Sequence, residues 1–191
     1  MVANISNPVQ PTLVGEATLP GLVYGVTISG GYAYVADLES GLRVVDVSTP
    51  LDPVEVGSLD TPGYARAVAI SGNFAFVADR LSGLRVIDVS VPSTPVEVGF
   101  VEMPEAWDVA VSGGYAYVAG LDSGLHVVDV STPSAPLEVG FIDMPGLNRG
   151  ISVAGSYAFV ATTTGGGIGV LRVIDVSNPA SPTEVGSIDT P

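Results

Sequence analysis

Four aspartates recur in one local phrase: Asp46, Asp88, Asp129 and Asp175 each open Asp-Val-Ser-x-Pro. Four carboxylates brought into one ring could hold a divalent cation. The phrase also offers a plainer use, because a carboxylate two residues ahead of a serine accepts hydrogen bonds from the turn that follows. Residues repeated in every copy ordinarily serve the repeat, so the turn is the expected role. His126, the single histidine, fills the slot that Arg43, Arg85 and Arg172 hold elsewhere. No triad or metal-ligand spacing surrounds it, and it is expected to be a substitution in a structural arginine position. Glu55, Glu97, Glu138 and Glu184 share a Glu-Val-Gly strand and are expected to place charge on an exposed sheet edge. The glycine-rich stretch from Thr162 to Gly169 suggests a phosphate loop. A strand pattern follows it, however, where a helix would be needed to supply the dipole. No catalytic residue, metal ligand or cofactor is therefore assigned.

The positions at which the copies differ say more. Aligned on Val26, Val68, Val109 and Ile151, one position holds Tyr24, Arg66, Trp107 and Arg149, and the next holds Gly25, Ala67, Asp108 and Gly150. Variation on one face of a constant scaffold is how repeat proteins carry binding surfaces. Aromatic rings and guanidiniums dominate binding hot spots, and two arginines suit a small anionic ligand or an acidic side chain of a protein partner. The expected ligand surface is therefore Tyr24, Arg66, Trp107, Asp108 and Arg149. The competing expectation is drift in exposed loops, with the rings packed against neighbouring units.

Those residues are positioned by a repeat. The phrase Val47 to Pro62, VSTPLDPVEVGSLDTP, returns three times and has an earlier copy, ISNPVQPTLVGEATLP, at the start. Its closing prolines are Pro20, Pro62, Pro104, Pro145 and Pro191, at spacings of 42, 42, 41 and 46. The long last spacing comes from an insertion, Gly165 to Val170. Each period reads as four short strands; in the second copy these run near 67–70, 74–78, 84–89 and 96–101. Val, Ile, Phe and Tyr fill the strands, and Gly, Pro, Ser and Asp fill the turns. Apolar residues stand at consecutive positions, as in Leu-Arg-Val-Ile-Asp-Val, which is expected of sheets covered on both faces. A four-stranded unit of about 42 residues fits a propeller blade. The fold class is thus all-β, a β-propeller of four four-stranded antiparallel blades. Residues 1–20 form a lone outer strand from a partial repeat, followed by blades at 21–62, 63–104, 105–145 and 146–191.

The blade phrase Gly-Leu-Arg-Val-Val-Asp-Val-Ser-x-Pro, followed by Pro-x-Glu-Val-Gly, resembles the LVIVD repeat of bacterial and archaeal propeller proteins. The matching stretches are Leu42 to Val47, Leu84 to Val89, Leu125 to Val130 and Leu171 to Val176. The resemblance spans essentially the whole chain. It implies a propeller, often in secreted or cell-surface proteins, and carries over no functional residue.

Composition narrows the partners. Twenty acidic residues stand against six basic ones, all arginine, for a net charge of −14. Binding a nucleic-acid backbone needs clustered cations, so that partner class is not expected, and anionic membranes are disfavoured for the same reason. No apolar run is long enough to span a bilayer. The opening segment lacks the basic and apolar regions of a signal peptide, so none is expected here. With no cysteine, disulfides and thiolate metal sites are excluded and the compartment is left open.

Ring closure is the remaining question. One lone strand and four complete blades make 17 strands, so the first copy and the last outer strand compete for one place. Either four blades close alone, or two chains complete an eight-bladed ring. An open arc leaves two apolar faces bare, so self-association into a closed ring, with a homodimer favoured, is expected. The expected function is a non-catalytic scaffold or binding module. The alternatives are a metal-dependent hydrolase or lyase using Asp108, Asn148 and Glu105 at the channel mouth, and an excised or designed fragment with no ligand.

Overall fold

The computed structural model describes residues 1–190; Pro191, the last residue of the fourth period, lies outside the described residues. All of its regular structure is β. The chain opens with β1 (Val2–Asn4) and β2 (Thr12–Gly15). The first blade holds β3 (Gly25–Ser29), β4 (Tyr32–Ala36), β5 (Leu42–Asp46) and β6 (Val54–Leu59). The second holds β7 (Ala67–Ser71), β8 (Phe74–Ala78), β9 (Leu84–Asp88) and β10 (Val96–Val101). In the third are β11 (Asp108–Ser112), β12 (Tyr115–Ala119), β13 (Leu125–Asp129) and β14 (Leu137–Ile142). The fourth contains β15 (Leu147–Ala154), β16 (Tyr157–Thr163), β17 (Gly169–Asp175) and β18 (Thr183–Thr190). Within each blade the strands lie in chain order as an antiparallel meander.

The expectation of a lone first strand needs correction. β2 pairs antiparallel with β1, with Ala3 opposite Leu13 and Asn4 opposite Thr12. An isolated strand edge would leave its amides without partners, and the first residues supply them. The chain therefore has 18 strands among its described residues. The insertion lengthens two strands of the fourth blade. β16 and β17 extend to Thr163 and Gly169, which pair directly, and only the tip at 164–168 is irregular.

Local chemistry fixes the turns. Asp46 Oδ1 accepts the Ser48 amide at 2.8 Å, and Asp88, Asp129 and Asp175 do the same with Ser90, Ser131 and Ser177. Gly30 and Gly31 close the β3–β4 hairpin with positive φ, a conformation that side chains with a Cβ resist. Each outer strand is bulged near its glycine, as where Glu97 and Gly99 flank a register shift against β9.

Packing lies between blades. Tyr34, Leu42 and Val44 of the first blade meet Val68, Val77 and Ile87 of the second. Phe76, Leu84 and Val86 then meet Val109, Val118 and Val128, and Tyr117, Leu125 and Val127 meet Val160, Ile174 and Val176. On the free side of the first blade, Ala17 and Leu19 of the N-terminal segment pack against Ala33, Val35 and Val45. None of these clusters joins the fourth blade to the first. The described residues form an open arc of four blades.

Candidate ligand-binding site

The side chains that differ between copies are carried at the entrance to each innermost strand. Tyr24, Arg66 and Trp107 sit immediately before β3, β7 and β11, and their amides donate to Ala36, Ala78 and Ala119 at 2.8–2.9 Å. Arg149 lies within β15 at a register shift between Asn148 and Gly150. Fixed in this way, the four side chains stack across neighbouring blades. The Arg66 guanidinium lies 4.4 Å from the Tyr24 ring centre and 4.0 Å from that of Trp107. The Arg149 guanidinium lies 5.7 Å from the Trp107 ring centre. All five expected residues, with Gly25 and Ala67, line one shallow depression of about 240 Å³.

The fifth member, Asp108, has a bonding role of its own. One carboxylate oxygen accepts the Val109 amide at 2.9 Å and the other accepts the Ile151 amide of the next blade at 2.8 Å. Burial pushes its pKa above the usual carboxylate range, and the two amides partly oppose that rise. It clips two innermost strands together. The arginines are different. Arg43, Arg80, Arg85 and Arg172 all have carboxylate partners, whereas Arg66 and Arg149 have none among the described residues. Arg66 Nε, like that of Arg43, Arg85 and Arg172, is buried without a hydrogen-bond acceptor, but of these only Arg66 has no carboxylate at its other nitrogens. Two cations in a chain of net charge −14 thus stand free at one depression.

The loop between the two middle strands of each of the first three blades ties that blade to the next. Leu38, Arg80 and Leu121 adopt positive φ and bridge to Ala65, Ala106 and Asn148 of the next blade. The residues offered for a metal do not converge. Arg80 holds Glu105 at 3.1 Å. Asn148 is fully buried, accepting from Thr162 at 2.7 Å and donating to the Leu121 carbonyl.

His126 sits between two polar partners. Its Nδ1 lies 2.9 Å from Glu138 Oε1 and its Nε2 lies 3.0 Å from Ser123 Oγ. Serine, imidazole and carboxylate are therefore linked, which corrects the expectation that no such partners surround it. The surroundings are wrong for a nucleophile. Ser123 Oγ sits 2.7 Å from the Gly120 carbonyl and 3.2 Å from that of Pro104. Acyl transfer needs N–H donors around the developing oxyanion, and carbonyl oxygens repel it. The slot explains the arrangement. Arg43, Arg85 and Arg172 pair with Glu55, Glu97 and Glu184 at the same spacing of 12 residues that separates His126 from Glu138. These glutamates do more than charge an edge. The constant spacing was the signal in the sequence, but it takes the β-pairing to turn it into a contact.

The LVIVD repeat profile matches residues 20–61, 62–102, 105–143 and 145–190. None of the curated proteins matches the chain in sequence. Among solved structures, the computationally designed Ika4 protein superposes with a TM-score of 0.66 at 12% identity, over 86% of this chain and 98% of that one. The Pseudomonas aeruginosa periplasmic gluconolactonase gives 0.74 at 19% identity, over 88% of this chain and 54% of that one. This chain thus spans about half of that enzyme's structure. Both likenesses concern the propeller fold.

Proposed function

From the premise that the chain belongs to the LVIVD-repeat family, we propose that it is a non-catalytic binding module whose ligand is a small anion. The observation that carries this reading is the pair of unpaired guanidiniums, Arg66 and Arg149, stacked with Tyr24 and Trp107 in one depression. Rings on either side hold Arg66 in place, so little side-chain entropy is left to lose when an anion binds. The planar fork then meets a carboxylate or phosphate with two parallel hydrogen bonds. Self-association into a closed ring, as a homodimer, belongs to the same reading, because the arc leaves the face of the fourth blade bare and that of the first blade only partly covered.

Trp107 is the only tryptophan and lies inside the proposed site, so its fluorescence reports binding directly. Titration with citrate and with inorganic phosphate should give a saturable change that Arg66→Ala or Arg149→Ala abolishes. A flat response of the wild-type protein to both anions would refute the reading.

A further inference from the structure

The blade-to-blade contact is made three times inside the chain, and its two halves stand open at the ends. Leu42, Leu84 and Leu125 are wholly buried by the blade that follows, whereas Leu171 in the same slot is 37% exposed. Val68 and Val109 are buried against the blade that precedes, at 8% and 6%, whereas Val26 is 62% exposed. The exposed slots at one end are the complement of those at the other.

The N-terminal segment partly fills the place of a preceding blade, and fills it badly. At each internal junction an outer-strand glycine lies so close to the next blade that a Cβ would strike a proline carbonyl. Gly57 meets Pro92 in this way, Gly99 meets Pro133 and Gly140 meets Pro179. Gly15 meets Pro50 in the same manner, so residues 12–19 sit where a preceding outer strand would. Gly186, the glycine of β18, has nothing within 4 Å.

A second ladder identifies the better occupant. Thr61 donates to buried Asp79 Oδ1 of the next blade at 2.6 Å. Where the next blade has Gly120 or Thr162 in place of that aspartate, the donor position holds Met103 or Met144. Threonine thus goes with aspartate and methionine with its absence. Asp37 is the other aspartate of this ladder, but the residue set before it is Leu19, and Asp37 Oδ1 is buried without a partner. The matching threonine is Thr190, at the end of β18. Leu13 also stands where β18 carries Glu184, the partner of Arg172 at 2.8 Å, so the N-terminal segment could not replace β18 in its own blade without losing that pair.

We propose that the ring closes by exchange with a second copy: β18 of one chain takes the place of residues 12–19 on the first blade of its partner. Thr190 then donates to Asp37 of the partner, Gly186 abuts the partner's Pro50, and Leu171 and Val26 of the two chains cover each other. Residues 12–19 act as a removable cover over an assembly surface. The β16–β17 extension replaces the Leu38-type bridge at this junction, because Thr163 is already paired with Leu147 and Gly169. This inference rests on the self-association proposed above and names the surfaces that carry it.

Sedimentation velocity of the full chain at micromolar concentrations tests it. The wild type should form dimers. Gly186→Ala places a methyl group in open space, so the monomer should fold and melt as the wild type does. Its dimer should weaken by about tenfold or more, as overpacking a close contact does. Leu19→Thr gives Asp37 its hydroxyl within the chain and should favour monomer. Leu19→Asp sets like charges together, loosens the cover and should favour dimer. A wild type that stays monomeric overturns both self-association and exchange. A dimer indifferent to Gly186→Ala and to both Leu19 substitutions overturns the exchange and leaves self-association standing.

Discussion

The carboxylates of this chain titrate in two opposed groups because their surroundings differ. Burial raises the pKa of Asp79, against hydrogen bonds from Thr61 and Gly63, and burial likewise raises that of Asp108. Such a group holds its proton more tightly in the folded chain than in the unfolded one. Its contribution is complete below the unfolded value of about 3.9 and is lost as pH rises through the higher folded value. Asp46, Asp88, Asp129 and Asp175 behave in the opposite sense, since hydrogen bonds from the serine two residues on hold them below the ordinary value. Their contribution is present above about 3.9 and is lost as pH falls through the folded value. Urea midpoints should therefore climb as neutral solution is acidified toward the ordinary carboxylate range, then fall below it. In an Asp79→Asn, Asp108→Asn double variant the climb should flatten. A midpoint that declines steadily from neutral pH downward would contradict this assignment. At position 126, arginine restores the slot used by the other blades, so His126→Arg should leave the midpoint nearly unchanged. His126→Leu removes two hydrogen bonds and should cost about 1 kcal/mol in the same experiment.

At the scale of the strand, the outer-strand glycines are steric requirements of the neighbouring blade. Gly99→Ala should destabilise the protein by about 1–3 kcal/mol, as overpacking of a tight contact does, measured by chemical denaturation. Gly72→Ala is the instructive control. It has open space around it but a positive φ of 57°, so its cost, about 1 kcal/mol, is backbone strain alone. The strands themselves were legible in the sequence, since apolar runs of five or six residues between Gly, Pro and Ser turns have no helical period to compete with. The position of the variable residues was legible too, because Tyr24, Arg66, Trp107 and Arg149 fall in one register of the repeat. The stacking of Arg66 between two rings was not, because it depends on the rotation between blades, and one period carries no record of that. Pairing of β1 with β2 escaped because three residues are too short to show a strand pattern, although Val2–Asn4 precedes Ile5-Ser-Asn-Pro as Val173–Asp175 precedes Val176-Ser-Asn-Pro and pairs in the same bulged register.

For the molecule as a whole, each blade leans only on its neighbours, so stability should grade along the chain. The second and third blades are covered on both sides, while β18 is exposed along its full length. Hydrogen exchange of the monomer should therefore be slowest in β8, β9, β12 and β13 and fastest in β18 and β1, and dimer formation should slow it in β18. Uniform protection across all four blades in a monomer would show a closed ring of four instead. The two ends of the arc are unlike, one ending in an outer strand and the other in a proline turn, so contact between copies runs head to tail. Growth stops only when the accumulated rotation returns to its start.

The stack of arginines and rings adds a rule of parity. Aromatic, cation, aromatic, cation is a pattern whose chemical period is two blades, twice the period of the backbone. Any closed circle that keeps cation and ring in strict alternation must contain an even number of blades. An odd circle would bring two members of the same kind together at its seam, and where those members are arginines the repulsion would fall on the surface offered to an anion.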